Sequence, residues 1–468
     1  MRSICAIAIL SLLSGCAAGQ LPAPKIDVPR RFEAAPGAAV SDDSSARWWA
    51  LFDDEQLTTL VELALKSAPD ARTAMARLRE AKAVRRGALT SYDPQGNPGA
   101  SVSHSRTSVS GLPESQSELQ STGASTSAGA SFNPSWEIDL FGRRAAARQA
   151  ADADLVAARF EYEASRLSLA AEVATQLIGS RNLSAQIVEA EETLRIAREL
   201  ARVGRVRSDA GLGSESDAAR LDTQLANSQA ELTSLKAQFL VGRRNLLVLL
   251  GQGSQSLDSL LIGPNLPDPP RPPVTTPAEV MARRPDVREA EARLRSAAGN
   301  LRLDELALFP RLTFQPGASI TKILQPQSYV QSLWSLGAGL VVPLLDRPRL
   351  LSQIDAQTAR GEQAVIEYER AVQAAYGEAE NVLTRISADF ERLDQLKRAE
   401  VRARFAFEAQ QRGFSAGVVD LDALLQTEQA WRAARIALVT QRASTLSDAI
   451  AGFKALGGGW NPTGALEN

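Results

Sequence analysis

From residue 143 to residue 208 the chain runs for roughly 65 positions without a proline, and Gly179 and Gly204 are its only glycines. At ~1.5 Å per residue this predicts a rod on the order of 100 Å, far beyond the ~8–20 residues of a globular helix. Leu183, Ile187, Ala190, Leu194, Ala197 and Ala201 step alternately by four and three. That is a heptad seam with small knobs, which lets helices approach closely. A second run, 350–412, has the same character. The rest of the chain has to cap, return or join these two rods.

A chain of 468 residues is long enough for two or three domains. Its formal net charge of -2 argues against nucleic acid as the main partner, because neutralising phosphates requires a basic face. The first residues read as a targeting segment. Arg2 supplies positive charge, and 4–13 is an apolar stretch too short to span a bilayer. Leu13-Ser14-Gly15-Cys16 resembles the lipobox of bacterial lipoproteins, which predicts a signal peptide over 1–15 and lipidation of Cys16. Ala17, not Asp, follows the cysteine, as in outer-membrane sorting. Cys5 leaves with the signal, so no disulfide holds the fold. No later apolar run reaches the ~18 residues of a transmembrane helix.

Residues 16–46 form a Pro- and Ala-rich tether. A first repeat spans 47–250. It holds a helical stretch broken at Pro69, a Ser/Gly/Thr-rich region with strands at 99–109 and 126–140, and a helical hairpin over 143–250. The turn is Ala210-Gly211-Leu212-Gly213-Ser214. In the return helix, Leu221, Leu225, Ser228, Leu232, Leu235, Phe239, Gly242, Leu246 and Leu249 keep the alternation of four and three. A Pro-rich linker over 251–277 excludes helix and central strand. The pattern then returns over 278–456, with strands at 311–324 and 332–345 and a hairpin over 349–456. Pro69-Asp70 and Ala76-Arg77-Leu78-Arg79 recur as Pro285-Asp286 and Ala292-Arg293-Leu294-Arg295, and Asp217 and Gln224 recur as Asp422 and Gln429. A tail, 457–468, ends the chain.

Four strands of membrane type cannot close a barrel alone. Lipid tolerates no open sheet edge, and single-chain barrels start at about 8 strands. Three chains would supply about twelve under a three-fold axis. The expected fold class is therefore an α+β membrane channel. Internally duplicated long α-helical hairpins curve side by side into a tube, and four β-strands per chain contribute to a closed twelve-stranded β-barrel.

Four motifs carry a family resemblance across nearly the whole mature chain. They are Trp48-Trp49 with Phe52 and Asp54; Trp136-Glu137-Ile138-Asp139-Leu140-Phe141-Gly142-Arg143; Arg283-Arg284-Pro285-Asp286-Val287; and Ala455-Leu456-Gly457-Gly458-Gly459-Trp460. With them the chain resembles the TolC-like outer-membrane efflux proteins, in the lipoprotein branch of NodT/OprM-type factors serving resistance-nodulation-division pumps. The resemblance implies a homotrimer in outer-membrane lipid, in which the hairpins form a periplasmic α-barrel and the strands a twelve-stranded outer-membrane β-barrel, with a periplasmic adaptor protein, an inner-membrane resistance-nodulation-division pump and no cofactor. The implied function is a passive exit channel for small molecules. Two alternatives are a conduit for type I protein secretion and a periplasmic coiled-coil scaffold without strands. The strand segments are poor in aromatics, with Phe132, Trp136, Phe314, Tyr329 and Trp334 as girdle residues, and the 111–121 loop has no family signature.

Family members narrow at the periplasmic tip, which here falls at the two hairpin turns. Asp420 is the first gate candidate, because one carboxylate per chain becomes a ring of three in a trimer. Val418, Val419 and Leu421 form an apolar collar beside it, and Arg205, Arg207 and Asp209 pair across neighbouring hairpins. The competing reading makes Asp420 a helix N-cap. Gly211, Gly213, Gly413 and Gly417 are the turn glycines. Asp217 and Asp422, recurring in both halves, read as helix-start carboxylates. His104 has no Cys or second His nearby, which speaks against a metal. No nucleotide loop or nucleophile motif is present, so no catalytic residue is assigned.

Overall fold

The computed structural model describes residues 21–34, 43–107, 123–272, 276–325 and 328–458. A 3-10 segment (Asp43–Phe52) leads into α1 (Glu55–Ser67) and α2 (Pro69–Thr90). Then come β1 (Pro98–Thr107), β2 (Gly123–Phe132), β3 (Trp136–Ile138), α3 (Arg143–Asp209) and α4 (Glu215–Leu249). The second half holds α5 (Pro277–Arg283), α6 (Pro285–Leu306), β4 (Arg311–Gln325), β5 (Tyr329–Val341), α7 (Arg347–Ser415) and α8 (Leu421–Ala455). The two rods are single helices of 67 and 69 residues. Cys16, the 111–121 loop and Trp460 lie outside the described residues. Among the described residues no helix is long and apolar enough to cross a membrane. Compactness cuts across the sequence repeat. One unit holds Arg79–Ala157 and Ala290–Tyr368; the other holds Lys25–Leu78, Ala158–Glu289 and Glu369–Asn468.

The first unit contains an antiparallel sheet. β1 pairs β2, β2 pairs β4, and β4 pairs β5. β3 continues β2 along the same side of β4. The strand expected at 126–140 is thus two pieces, and it begins three residues early. Pro134 has no N–H to donate, so the ladder breaks there. It resumes at Ser135, which exchanges backbone bonds of 2.6 and 2.8 Å with Gln95. The last strand spans Tyr329–Val341 and stops before Pro343, not at 345. These strands exclude a scaffold built without them.

Register fixes which residues share a face, because directly paired residues point the same way. One face carries the rungs Pro98–Phe132–Ala318–Trp334, Ala100–Ala130–Ile320–Ser332 and Val102–Ala128–Lys322–Val330. The other carries Gly99–Ser131–Ser319–Leu333, Ser101–Gly129–Thr321–Gln331 and Ser103–Ser127–Ile323–Tyr329. The first face is apolar and the second is mostly hydroxyl and glycine. Trp136 pairs Phe314, which shares the face of Ala318. Phe132, Trp136, Phe314 and Trp334 therefore form one aromatic group, and Tyr329 lies on the opposite face. Trp334 is 83% and Leu336 77% exposed, so the described residues leave the apolar face uncovered.

At the base of β3 the second motif becomes a helix cap. Gly142 (φ +85°) turns the chain, and the Asp139 carboxylate accepts from the N–H groups of Gly142, Arg143 and Arg144 at 2.8–3.0 Å. Three of the four orphan donors that open α3 cluster on one carboxylate.

In the second unit the other motifs are likewise structural. Trp48, Trp49 and Phe52 are buried with Leu177, Leu246, Leu446 and Phe453, and Trp48 stacks on Phe453 at 5.7 Å. Asp54 caps α1 through Leu57 N–H at 3.0 Å and ion-pairs with the buried Arg181. Burial alone would raise the Asp54 carboxyl, but the Arg181 hydrogen bond and the Leu57 amide bring it below its ordinary value. Arg284, 8% exposed, bonds Asp286 at 2.6 and 3.0 Å, Glu378 at 2.7 Å and the Ala455 carbonyl at 3.1 Å. It ties the start of α6 to α7 and to the end of α8. Gly457 (φ +76°) ends α8, and Gly458 N–H returns to Phe453 O at 2.9 Å.

Candidate functional site

The two hairpin turns are built alike. Each rod ends in a left-handed glycine, Gly211 (φ +70°) or Gly417 (φ +76°). Leu212 N–H returns to Arg207 O at 2.8 Å, and Val418 N–H to Gly413 O at 3.0 Å. These are the six-to-one bonds of Schellman ends. The return helix then starts at a side-chain cap: Ser214 accepts from Ser216 N–H at 3.1 Å, and Asp420 from Ala423 N–H at 2.8 Å. Gly211 and Gly417 are the glycines the turns require. Gly413 stands inside the last turn of α7, where a Cβ would come within 2.6 Å of Val419 Cγ2. At Gly213 a Cβ would meet Arg207 Cβ at 3.3 Å. Both serve close approach and neither takes a left-handed backbone.

Within one chain the cationic side chains take these partners. Arg205 bonds Asp222 of its own hairpin at 2.6 and 3.0 Å. Arg207 lies over the Phe414 ring at 5.9 Å. Asp209 closes α3 as an exposed residue. An ion pair between the hairpin tips comes from Arg220, absent from the sequence candidates. It reaches Asp422 at 2.8 Å and lies 3.8 Å from Asp217. The signal was asymmetry within the repeat: Asp217 and Asp422 correspond, but Arg220 faces Leu425 at the equivalent position. The three collar residues differ in exposure within the chain. Val418 is 79% exposed, whereas Val419 is half-buried over Gly413 and Leu421 packs beside Ala201, Leu221 and Leu425.

Behind the Arg220–Asp422 pair, α4 and α8 enclose a polar groove of about 460 Å³ lined by Gln224, Asn227, Ser228, Gln429 and Arg432. A second cavity of about 290 Å³ lies within the turns, under Phe414 and Leu421. Deeper in the bundle, Glu428 is 2% exposed with one carboxylate oxygen unbonded, and Arg432 stands 4.0 Å away. Burial pushes this carboxyl up and Arg432 offsets part of the rise. Among the described residues no cluster of three or more His, Cys, Asp or Glu is placed to hold a metal.

The tip is a seam of exposed ion pairs and helix caps. The family model described as "Outer membrane efflux protein" matches residues 60–252 and 276–458. The chain is 29% identical over 465 residues to the pyoverdine export outer membrane protein OpmQ of Pseudomonas putida, covering 98% of each. It is 26% identical to nodulation protein T of Rhizobium leguminosarum bv. trifolii over 96% of each. A solved structure of the outer-membrane channel OprN matches at a TM-score of 0.78 and 26% identity, covering 92% of this chain and 99% of that one.

Proposed function

The chain belongs to the outer membrane efflux protein family, and from that premise we propose that three copies close into a passive exit duct, gated at its periplasmic tip by the Arg220–Asp422 pair. The observation that carries this reading is the sheet. Among the described residues it has two unpaired edges, β1 and β5, and an apolar face bearing Phe132, Trp334 and Leu336 that none of them covers. In hydrocarbon each unpaired backbone group costs several kcal/mol, so the edges of one copy pair with those of the next. Lipid then covers the apolar face, and the face of Ser101, Ser103, Ser127, Gly129 and Thr321 lines the passage.

The duct has no energy source of its own. An inner-membrane resistance-nodulation-division pump drives small molecules into it, and a periplasmic adaptor joins the two at the hairpin tips. Export of pyoverdine, named for a relative, fits a small-molecule cargo. An acyl chain on Cys16 anchors the tether in the outer membrane.

Magnitude supports a poised gate. Arg220 and Asp422 are 57% and 62% exposed, so each pair contributes only ~0.2–1 kcal/mol. Three pairs add ~0.6–3 kcal/mol, enough to hold the tip closed and little enough for a docked adaptor to release. Planar-bilayer recording of the purified protein tests this. Asp422→Ala or Arg220→Ala is expected to raise the open fraction roughly tenfold, since 1.4 kcal/mol is a factor of ten. Molar salt should do the same to the unmodified protein. Unchanged conductance in both substitutions removes the gate assignment while leaving the channel.

A further inference from the structure

Charge is distributed unevenly over the sheet. The described residues of β1, β2, β4 and β5 contain no Asp or Glu, yet they carry Arg106, Arg311 and Lys322, together with His104. Arg311 opens β4 on the hydroxyl face. The other three share the apolar face: Lys322 on the rung of Val102 and Ala128, His104 opposite Thr126, Arg106 opposite Ala124. His104 Nδ1 and Thr126 Oγ1 are 2.8 Å apart, consistent with that face. All three are exposed.

Their position along the strands is as one-sided as their sign. α2 and α6 feed β1 and β4 at the end marked by the Trp136–Phe314 pair. Lys322, His104 and Arg106 lie toward the other end. From Phe314 to Lys322 is eight residues along β4, or about 26 Å at ~3.3 Å per residue. With strands tilted ~35–45°, that corresponds to roughly 20 Å of a hydrophobic band about 25 Å tall. Lys322 can extend from there to the head groups along its aliphatic stem. His104 lies about two residues farther out than the Lys322 rung, and Arg106 about four. An apolar wall thus has aromatic side chains at its helix-proximal border and, at its distal border, two cations and a histidine with no acidic partner among the described residues.

We propose that His104, Arg106 and Lys322 form a binding surface for phosphate-bearing lipids of the outer leaflet, which seat their head groups on these side chains and their acyl chains on the apolar face below. Charge complementarity selects this occupant. Phosphate accepts the arginine fork in two parallel hydrogen bonds and the lysine ammonium as a point charge. A juxtamembrane basic cluster is attracted to anionic lipid, whereas an acidic protein partner would have to leave the apolar wall beneath the cations uncovered. The inference rests on the outer-membrane channel reading, which orients the distal end of the strands toward the outer leaflet.

The full-length assembled protein, reconstituted in phosphatidylcholine bilayers with increasing diphosphorylated lipid A, provides the test. Co-retained lipid A is counted by native mass spectrometry, and conductance is recorded from the same preparation. The unmodified protein should reach half-saturation at roughly tenfold less lipid A than Arg106→Gln/Lys322→Gln, and removing the lipid phosphates should abolish the difference. Arg106→Lys/Lys322→Arg should retain lipid like the unmodified chain. Equal retention by the unmodified protein of phosphorylated and dephosphorylated lipid overturns the inference without any variant. If conductance persists in that case, the channel reading survives. An unmodified protein that neither inserts nor conducts overturns both.

Discussion

Asp420 combines two roles that different substitutions separate. As an N-cap its carboxylate receives Ala423 N–H at 2.8 Å, and as an exposed anion at the tip it would stand in a ring of three. Asparagine keeps the cap but loses the charge; alanine loses both. Asp420→Ala should lower helix stability by ~1 kcal/mol, and Asp420→Asn by little. If the ring shapes ion passage, both should shift the reversal potential in a potassium chloride gradient toward lower cation preference. An effect of Asp420→Ala alone would reduce Asp420 to its cap. Arg284 lies at the other extreme, buried and bonded to three groups. Its removal leaves Asp286 and Glu378 without their cation. Arg284→Ala should cost about 3 kcal/mol, the low end for a broken buried pair because both acids are half exposed. The loss should appear as a lower thermal midpoint by circular dichroism.

Between α7 and α8, Asp448 and Asp389 are neighbouring carboxyl groups, and this pair makes helix packing depend on pH. Gln441 donates to Asp389 at 2.8 Å, Thr445 packs beside Gln441, and Arg385 stands 3.8 Å from Asp448. Burial first, and the neighbouring Asp389 second, push the Asp448 carboxyl up to about 6. Because the folded value lies above the ordinary 3.8, the folded state holds a proton that the unfolded chain has lost between these two pH values. The stabilisation is fully present below about pH 4 and disappears as pH rises through about 6. Asp448→Asn, which mimics the protonated acid, should therefore melt higher than the unmodified protein at pH 7.5 and flatten the dependence between pH 4 and 6. Equal slopes for the two proteins would remove the pair from the account. None of this pairing was legible in the sequence, whereas the elements it joins were. Rods, turns and the doubled order follow from local rules: heptad spacing, a glycine after each rod, a capping Ser214 or Asp420. Strand ends were blurred where one residue, Pro134 or Pro343, decides whether a ladder bond exists. Asp54–Arg181, Arg220–Asp422 and Asp389–Asp448 join residues far apart in sequence, where periodicity carries no signal. The recurring motifs were visible as patterns, but only the packing of Trp48 on Phe453 and the bonds of Arg284 explain them as scaffold and not as site.

For the whole molecule, the decisive question is whether β1 has a neighbour on its free side. In an antiparallel ladder, successive residues point their backbone N–H and C=O alternately to one side and the other. Of Val102 and Ser103, one therefore bonds to β2 and the other faces outward from the edge. Proline removes the donor at whichever position it occupies. In a chain with a free edge, one of Val102→Pro and Ser103→Pro would be tolerated, because proline is accepted on edge strands where the N–H meets solvent. In a barrel closed by three copies, β1 is no edge at all: one substitution breaks the bond within the chain, and the other breaks the bond to the next copy. Each break is repeated three times around the ring in a medium where an unmet backbone group costs several kcal/mol. Both variants should thus lose the heat-resistant oligomer on electrophoresis and the three-chain mass in detergent. An assembly that accepts either proline with its mass and conductance intact would have its sheet edge open, and a lipid-embedded wall with an open edge is the one arrangement that this physics forbids.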